Sequence, residues 1–204
     1  MTEPTPAAGP GRAADPGWFR RVLGQYPTGV SVVTGIAPDE TPAGLAVGSF
    51  TSVSLDPPLV AFLPDRGSSS WPKIHAAGSF CVNILAEDQE PVCRAFASKA
   101  ADKFAGLGWR TAGSGAPILD DAVAWVDCDL ETVHEAGDHL IVIGRVRDLD
   151  VVRPTLPLLF FQGGYGRFSP HSLAIRDTRF GAQLHLLDAC IAASAGRPTV
   201  TASE

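Results

Sequence analysis

The chain has 204 residues, 45% of them apolar and 19% charged, with a formal net charge of −6. That suits one domain with a substantial core, alone or as a dimer, and leaves too little chain for a second full domain. The sixteen lysines and arginines are spread without a basic stripe, which argues against a nucleic-acid surface and for a small ligand.

Residues 1–16 are mostly Pro, Ala, Gly and Thr with hardly an apolar anchor, so they read as an unstructured tail. The tail has neither an apolar h-region nor a basic cluster, and no later stretch offers the ~20 consecutive apolar residues of a membrane span. Cys81, Cys93, Cys128 and Cys190 lie far apart without C-x-x-C spacing, as reduced core thiols do. The expected address is the cytoplasm.

In residues 16–26 (PGWFRRVLGQY), Trp18, Phe19, Val22 and Leu23 recur at helical spacing and predict a short amphipathic helix that Pro27 stops. From Val30 the segments VSVVTGI, LAVGSFTSVSL and PLVAFLP carry the β-branched content and Gly, Pro and Asp punctuation of consecutive strands. Residues 68–77 (SSSWPKIHAA) open with hydroxyls and place Pro72 in a first helical turn, and strand-like SFCVNIL follows. Early acids, Pro91, then Val92, Ala95 and Phe96 on one face mark a helix within 87–99. Residues 122–134 alternate, and HLIVIGRVRDLDVV follows the turn residues Gly137 and Asp138, giving a long hairpin. A last strand at 156–161 runs into QGGYGRF, and the Leu, Ile and Ala of 178–193 predict a terminal helix before a frayed end.

The expected organisation is a tail (1–16), one domain (17–170) and a C-terminal extension (171–204). Many short strands, few helices and no βαβ alternation predict a mainly β fold, an antiparallel barrel rather than a doubly wound sheet.

Neither a G-x-G-x-x-G between strand and helix nor a G-x-x-x-x-G-K-[ST] is present, so a nucleotide is held without a Rossmann or P-loop fingerprint. H-E-x-x-H and G-x-S-x-G are absent too, and the five histidines have no metal-ligand spacing, so metal is expected to play no part.

Six segments in order, YPTGVSVVTG, SFTSVSLDPPLV, SSSWPKIHAAGSFCVNIL, DKF, GDHLIVIGRV and PLLFFQGGYGRF, resemble the flavin reductase-like family over residues 19–168. That family includes the reductase components of two-component flavin-dependent monooxygenases. The resemblance implies a split β-barrel, a homodimer, FMN or FAD as the flavin, NADH or NADPH as electron donor, and an oxygenase receiving the reduced flavin.

The residues are compatible with that chemistry. Ser49, Thr51, Ser52 and Ser54 make a hydroxyl-rich segment whose side chains and exposed backbone, Phe50 included, offer donors suited to the pyrimidine edge of a flavin, where charge develops on reduction; a plain Ser/Thr-rich strand is the alternative. Ala46 and Gly48 stand where family members often carry Thr and Asn, which shifts the holding toward backbone amides. Ser68 and Ser70 suit a flavin phosphate, or are ordinary helix caps. Lys103 of DKF either neutralises the same phosphate or is a solvated surface lysine.

By the resemblance, His139 lies where nicotinamide stacks on the flavin and positions it, since direct hydride transfer needs alignment more than a base; a turn histidine is the alternative. Tyr165 in GGYGRF offers an aromatic face to a ring, with Arg167 as a further contact, or else caps the core. Thr28 of PTGV approaches the flavin or merely makes a turn. Trp71 and Trp109 receive no role.

Three functional readings follow. The first is a reductase supplying reduced flavin to a partner. The second is a non-catalytic FMN-binding carrier or sensor, and the third a self-contained flavoenzyme acting on an organic substrate, with residues 172–204 shaping its pocket.

Overall fold

The structure, a computed structural model, describes residues 15–169. The tail up to residue 14, the extension 171–204 and the helix expected at 178–193 lie outside the described residues.

The chain opens with α1 (Pro16–Leu23), where the Asp15 carboxylate accepts the Gly17 amide at 2.8 Å and Pro16 takes a position at which its missing N–H costs nothing. Gly24 caps it, three residues before the end the sequence suggests. Then come β1 (Thr28–Gly29), β2 (Ser31–Ile36), β3 (Pro42–Val47), β4 (Thr51–Leu55) and β5 (Pro58–Phe62). Next are α2 (Trp71–Ala77), β6 (Ser79–Ile84), α3 (Glu90–Ala97), β7 (Trp109–Thr111) and β8 (Pro117–Leu119). The long hairpin is β9 (Ala124–Ala136) and β10 (His139–Val151), and β11 (Leu158–Phe161) and β12 (Gly164–Arg167) finish the described fold.

Seven strands form one antiparallel sheet in the order β3-β2-β6-β9-β10-β5-β4. It curls on itself, because Leu45 and Val47 from one end share a buried cluster with Val60 and Phe62 from the other, around Val33, Phe80, Val82 and Val142. The ladder does not close: no strand pairing joins β3 to β4 among the described residues. The stretch read as one strand at 45–55 breaks at Gly48 into these two edge strands, so the barrel is split where the chain crosses from one edge to the other.

Outside the curl a second cluster, with Val32, Leu85, Cys93, Phe96 and Leu158, packs α3 and the small sheet β1-β11-β12 onto β2. Alternate β2 side chains therefore serve different clusters, as a strand buried on both faces requires. Buried Asn83 pins this region: its amide donates to Val32 O (3.2 Å) and Thr34 Oγ1 (3.1 Å), and its carbonyl accepts from Leu119 N (2.8 Å). Cys81, Cys93 and Cys128 are buried free thiols, and burial pushes the Cys128 thiol up to about 12. No helix among the described residues is long and apolar enough to cross a membrane.

Candidate active site

Two cavities lie along β3, one against the start of α2 and the loop after α3, the other against α3 and the small sheet. At the first end of β3 the Lys103 ammonium donates to Phe96 O (2.9 Å), Ser70 Oγ (3.3 Å) and Gly44 O (3.4 Å), and burial lowers its pKa. Ser70 is buried and makes no side-chain cap bond to α2, so its hydroxyl faces the lysine instead. Ser68 does the capping: its oxygen accepts Trp71 N at 3.2 Å. The cavity here measures about 290 Å³.

At the other end a cavity of about 190 Å³ is lined by Ala46, Gly48, Cys93, Ala97, Phe160 and Tyr165, among others. Thr28 pairs with Phe160 across β1 and β11, and its hydroxyl occupies the space over Gly48: a Cβ there would come within 2.8 Å of Thr28 Oγ1. The glycine at 48 thus accommodates the Thr28 hydroxyl, and the small Ala46 lines the cavity beside it. Tyr165 is half-buried, with its phenol 3.3 Å from Cys93 Sγ, Phe160 at its edge and the Arg94 guanidinium 4.9 Å from its ring centroid. The bond to Cys93, then burial, pushes this phenol up to about 12. The tyrosine therefore caps a core cluster and lines a cavity at once. Arg167 faces Glu87 at 3.4 Å.

The crossing segment sits at the split. Ser49 Oγ accepts Leu63 N at 2.9 Å and so ties the loop to the strand end after β5, while Phe50 packs on the inner core. Thr51 and Ser52 are exposed on β4. Leu140 N bonds Pro64 O at 3.0 Å just beyond, and beside it His139 forms a bridge with Asp65. The His139 ring is 44% exposed, with Nδ1 at 2.8 Å from Asp138 Oδ1, and this bond holds the Asp138 carboxyl below the usual carboxylate range.

Of the ten residues singled out in the sequence, the structure joins Ser70 to Lys103 and places Thr28 over Gly48, which lines the same cavity as Tyr165, while Thr28 itself lines a neighbouring cavity with Tyr26 and Phe160. Ser49 and Phe50 lie at the split, Thr51 and Ser52 on its outer strand, and Ser68 at the start of α2. His139 makes no hydrogen bond to the other nine among the described residues. Cys93, read from the sequence only as a core thiol, and Phe160, Lys73 and Lys99, given no role there, line these cavities. For the lysines a signal existed: the chain has only three.

The donor set fits a flavin. A cation and a hydroxyl without an acidic partner suit phosphate at one end, and a small aromatic-lined cavity suits a ring edge at the other.

A curled, split antiparallel sheet with these two cavities along β3 defines a small flavin-binding barrel, and residues 23–169 match the flavin reductase-like domain. The chain belongs to that family. It is 62% identical over 157 residues to a flavin reductase of Pseudomonas putida, covering 77% of this chain and 92% of the relative. Over 158 residues it is 48% identical to the reductase subunit of a flavin-dependent monooxygenase of Rhodococcus jostii, covering 78% and 80%. Among solved structures, a Streptomyces globisporus NADH:FAD oxidoreductase in complex with NAD and FAD fragments superposes with a TM-score of 0.74. It is 36% identical, with 79% of this chain and 97% of that one covered. The mainly β split barrel expected from the sequence is the fold found.

Proposed function

We infer that this chain is a flavin reductase that moves hydride from NADH or NADPH onto FMN or FAD and releases reduced flavin to a separate oxygenase. The observation that carries the reading is that the Lys103–Ser70 pair and the cavity lined by Gly48 and Tyr165 lie toward the two ends of β3, the second beside the split of the barrel with Thr28 over Gly48.

A bound flavin supplies the two-electron acceptor; the chain's residues hold and align. Lys103 neutralises the flavin phosphate, with the Ser70 hydroxyl as its neighbour and Ser68 fixing the turn that presents it. Thr28 and the backbone of the crossing segment around Ser49, Phe50, Thr51 and Ser52 meet the polar edge of the ring, and Tyr165 closes the cavity from the β12 side. His139 aligns the nicotinamide: its exposed ring needs no change of protonation for this, because no proton transfer accompanies hydride transfer.

The working unit is a homodimer. No residue of α1 is buried, and Phe19, Val22 and Leu23 are about half exposed with Tyr26 and Phe161 nearby, an apolar face suited to a second copy of the chain. The domain spans residues 17–170 and works in the cytoplasm, with reduced thiols in its core. Steady-state consumption of NADH and NADPH by the purified chain, with FMN or FAD added and with or without oxygen, tests the activity. An electron carrier without a nicotinamide site would consume neither.

A further inference from the structure

The small sheet β1-β11-β12 has two unlike faces. Thr28, Leu158, Phe160 and Tyr165 share the inner one, where Leu158 and Tyr165 join the second cluster and Phe160 and Tyr165 line the smaller cavity. The alternate positions share the outer one. There the register sets Leu159 between Gly29 and Gly166 and Phe161 opposite Gly164, with Phe168 following on the same side just past β12. A Cβ built on Gly29 or Gly166 would meet nothing within 4 Å, and one on Gly164 only the Phe161 carbonyl oxygen at 3.7 Å. Phe161 and Phe168 are exposed and Leu159 is half-buried. The outer face is therefore an apolar shelf with a phenylalanine at each end, and nothing among the described residues covers the glycines between them.

The chain leaves the described fold from this shelf. Residues 170–204 follow Phe168 and Ser169, and they lie beyond the 23–169 match to the family. Within them Phe180, Leu184, Leu187 and Ile191 recur at i, i+4, i+7 and i+11, the spacing of one helical face. The dimensions agree. Three strands make a shelf about 10 Å wide and β11 gives it a length of about 13 Å, against about 10 Å for the diameter of a helix and about 18 Å for the length of residues 180–191 as one. Residues 170–179 reach up to ~33 Å, enough to turn back across the strand they leave.

We propose that residues 180–191 of the same chain lie along the outer face of β1-β11-β12, with Leu184 and Leu187 over Leu159 and its flanking glycines, and so brace the sheet whose inner face lines the Tyr165 cavity. A second copy of the domain is the poorer occupant, because a shelf of about 130 Å² is far below the ~800 Å² that each partner gives to a stable interface. A tethered segment needs no such area, since its tether holds it at an effective concentration on the order of millimolar. Phe161, at the far end, borders the α1 face given above to the second copy, where Gln162 N bonds Gly24 O. The contact lies on the side of the sheet away from the cavity and does not depend on the flavin reading.

The test uses the full-length protein. A nitroxide on Cys190, the fourth cysteine beside three buried ones, should broaden the NMR amide signals of Gly29, Gly164 and Gly166 far more than those of Gly35 and Glu40 at the far end of β2. Hydrogen exchange gives a second measurement. Leu184→Asn/Leu187→Asn should speed exchange of the β11 and β12 amides about tenfold or more, as loss of two partly covered leucines requires, and leave β2 and β6 unchanged. Leu184→Met/Leu187→Met should keep the slow exchange of the wild type. Even broadening over the whole domain, or exchange that ignores the asparagine pair, would overturn the proposal. Exchange raised equally in every strand would do the same, because the segment would then support the fold at large. So would broadening that arises when nitroxide-bearing, NMR-silent chains are mixed with NMR-visible chains that carry no label, which would give the shelf to a second copy's segment.

Discussion

The phenol oxygen of Tyr165 lies 3.3 Å from the sulfur of Cys93, joining β12 to α3 across the cavity that both line. This bond is the largest reason the phenol titrates at about 12. Replacing Cys93 by Ala should bring the tyrosinate transition down toward the ordinary range, read by ultraviolet absorbance in a Tyr26→Phe background that removes the other described tyrosine. Because the folded pKa is raised, the folded state holds its proton longer than the unfolded chain. The stabilisation is complete below about 10 and is lost as pH rises toward about 12. Cys93→Ala should flatten that alkaline loss in denaturant titrations; an unchanged slope would mean the thiol is not the partner.

Asn83 satisfies β2 and β8 from a fully buried position. Asn83→Leu keeps the branched shape but strips partners from Val32 O and Leu119 N, so a loss of roughly 2–4 kcal/mol is expected in urea unfolding. A change below about 0.5 kcal/mol would mean that these groups find other partners.

Gly144 stands where the β9–β10 register shifts, and a Cβ there would run into Phe80 Cζ and lie 3.1 Å from Cys128 Cβ. Phe80 is fully buried and edge-on to Phe62, so it has no room to yield. Gly144→Ala should cost about 2 kcal/mol, and Phe80→Leu in the same chain should recover part of that cost. Additive losses in the double variant would contradict this close approach.

Lys103→Met removes the charge on the floor of the lysine cavity. FMN affinity should fall about fivefold, in line with the ~1 kcal/mol of a charge pair to an ammonium whose N–H bonds the protein already holds, while riboflavin, which lacks the phosphate, is unaffected. Burial lowers the wild-type ammonium's pKa, so FMN affinity should decline at a pH below the usual lysine range. Affinity independent of both the lysine and alkaline pH would place the phosphate elsewhere.

Much of the fold is written in local pattern. The β-branched runs that become β2, β5 and β6, and the Gly137–Asp138 turn between two long alternating segments, carry enough periodicity to be read without tertiary context. Three features do not. The strand β12, with sequence GYGR, has no β-branched residue and is defined by its pairing with β11. The short exposed β7 likewise depends on β8. Apolar and hydroxyl residues run unbroken across 45–55, and the change of edge at Gly48 follows from barrel curvature that no local window contains. At the site, Ser70 and Lys103 lie 33 residues apart and meet through packing of α2 beside α3 on β3. The hydroxyls of Ser68 and Ser70 look alike in sequence, yet one caps a helix and the other faces a cation, a division set by a single turn of backbone.

The most direct test is anaerobic mixing of the flavin-loaded protein with NADH, and separately NADPH, while the yellow flavin absorbance is followed. A reductase site should bleach that colour rapidly with at least one of the two, and His139→Ala should slow the bleaching far more than it weakens flavin binding. Flavin that stays oxidised under both nucleotides, on a protein that binds it, would contradict the account.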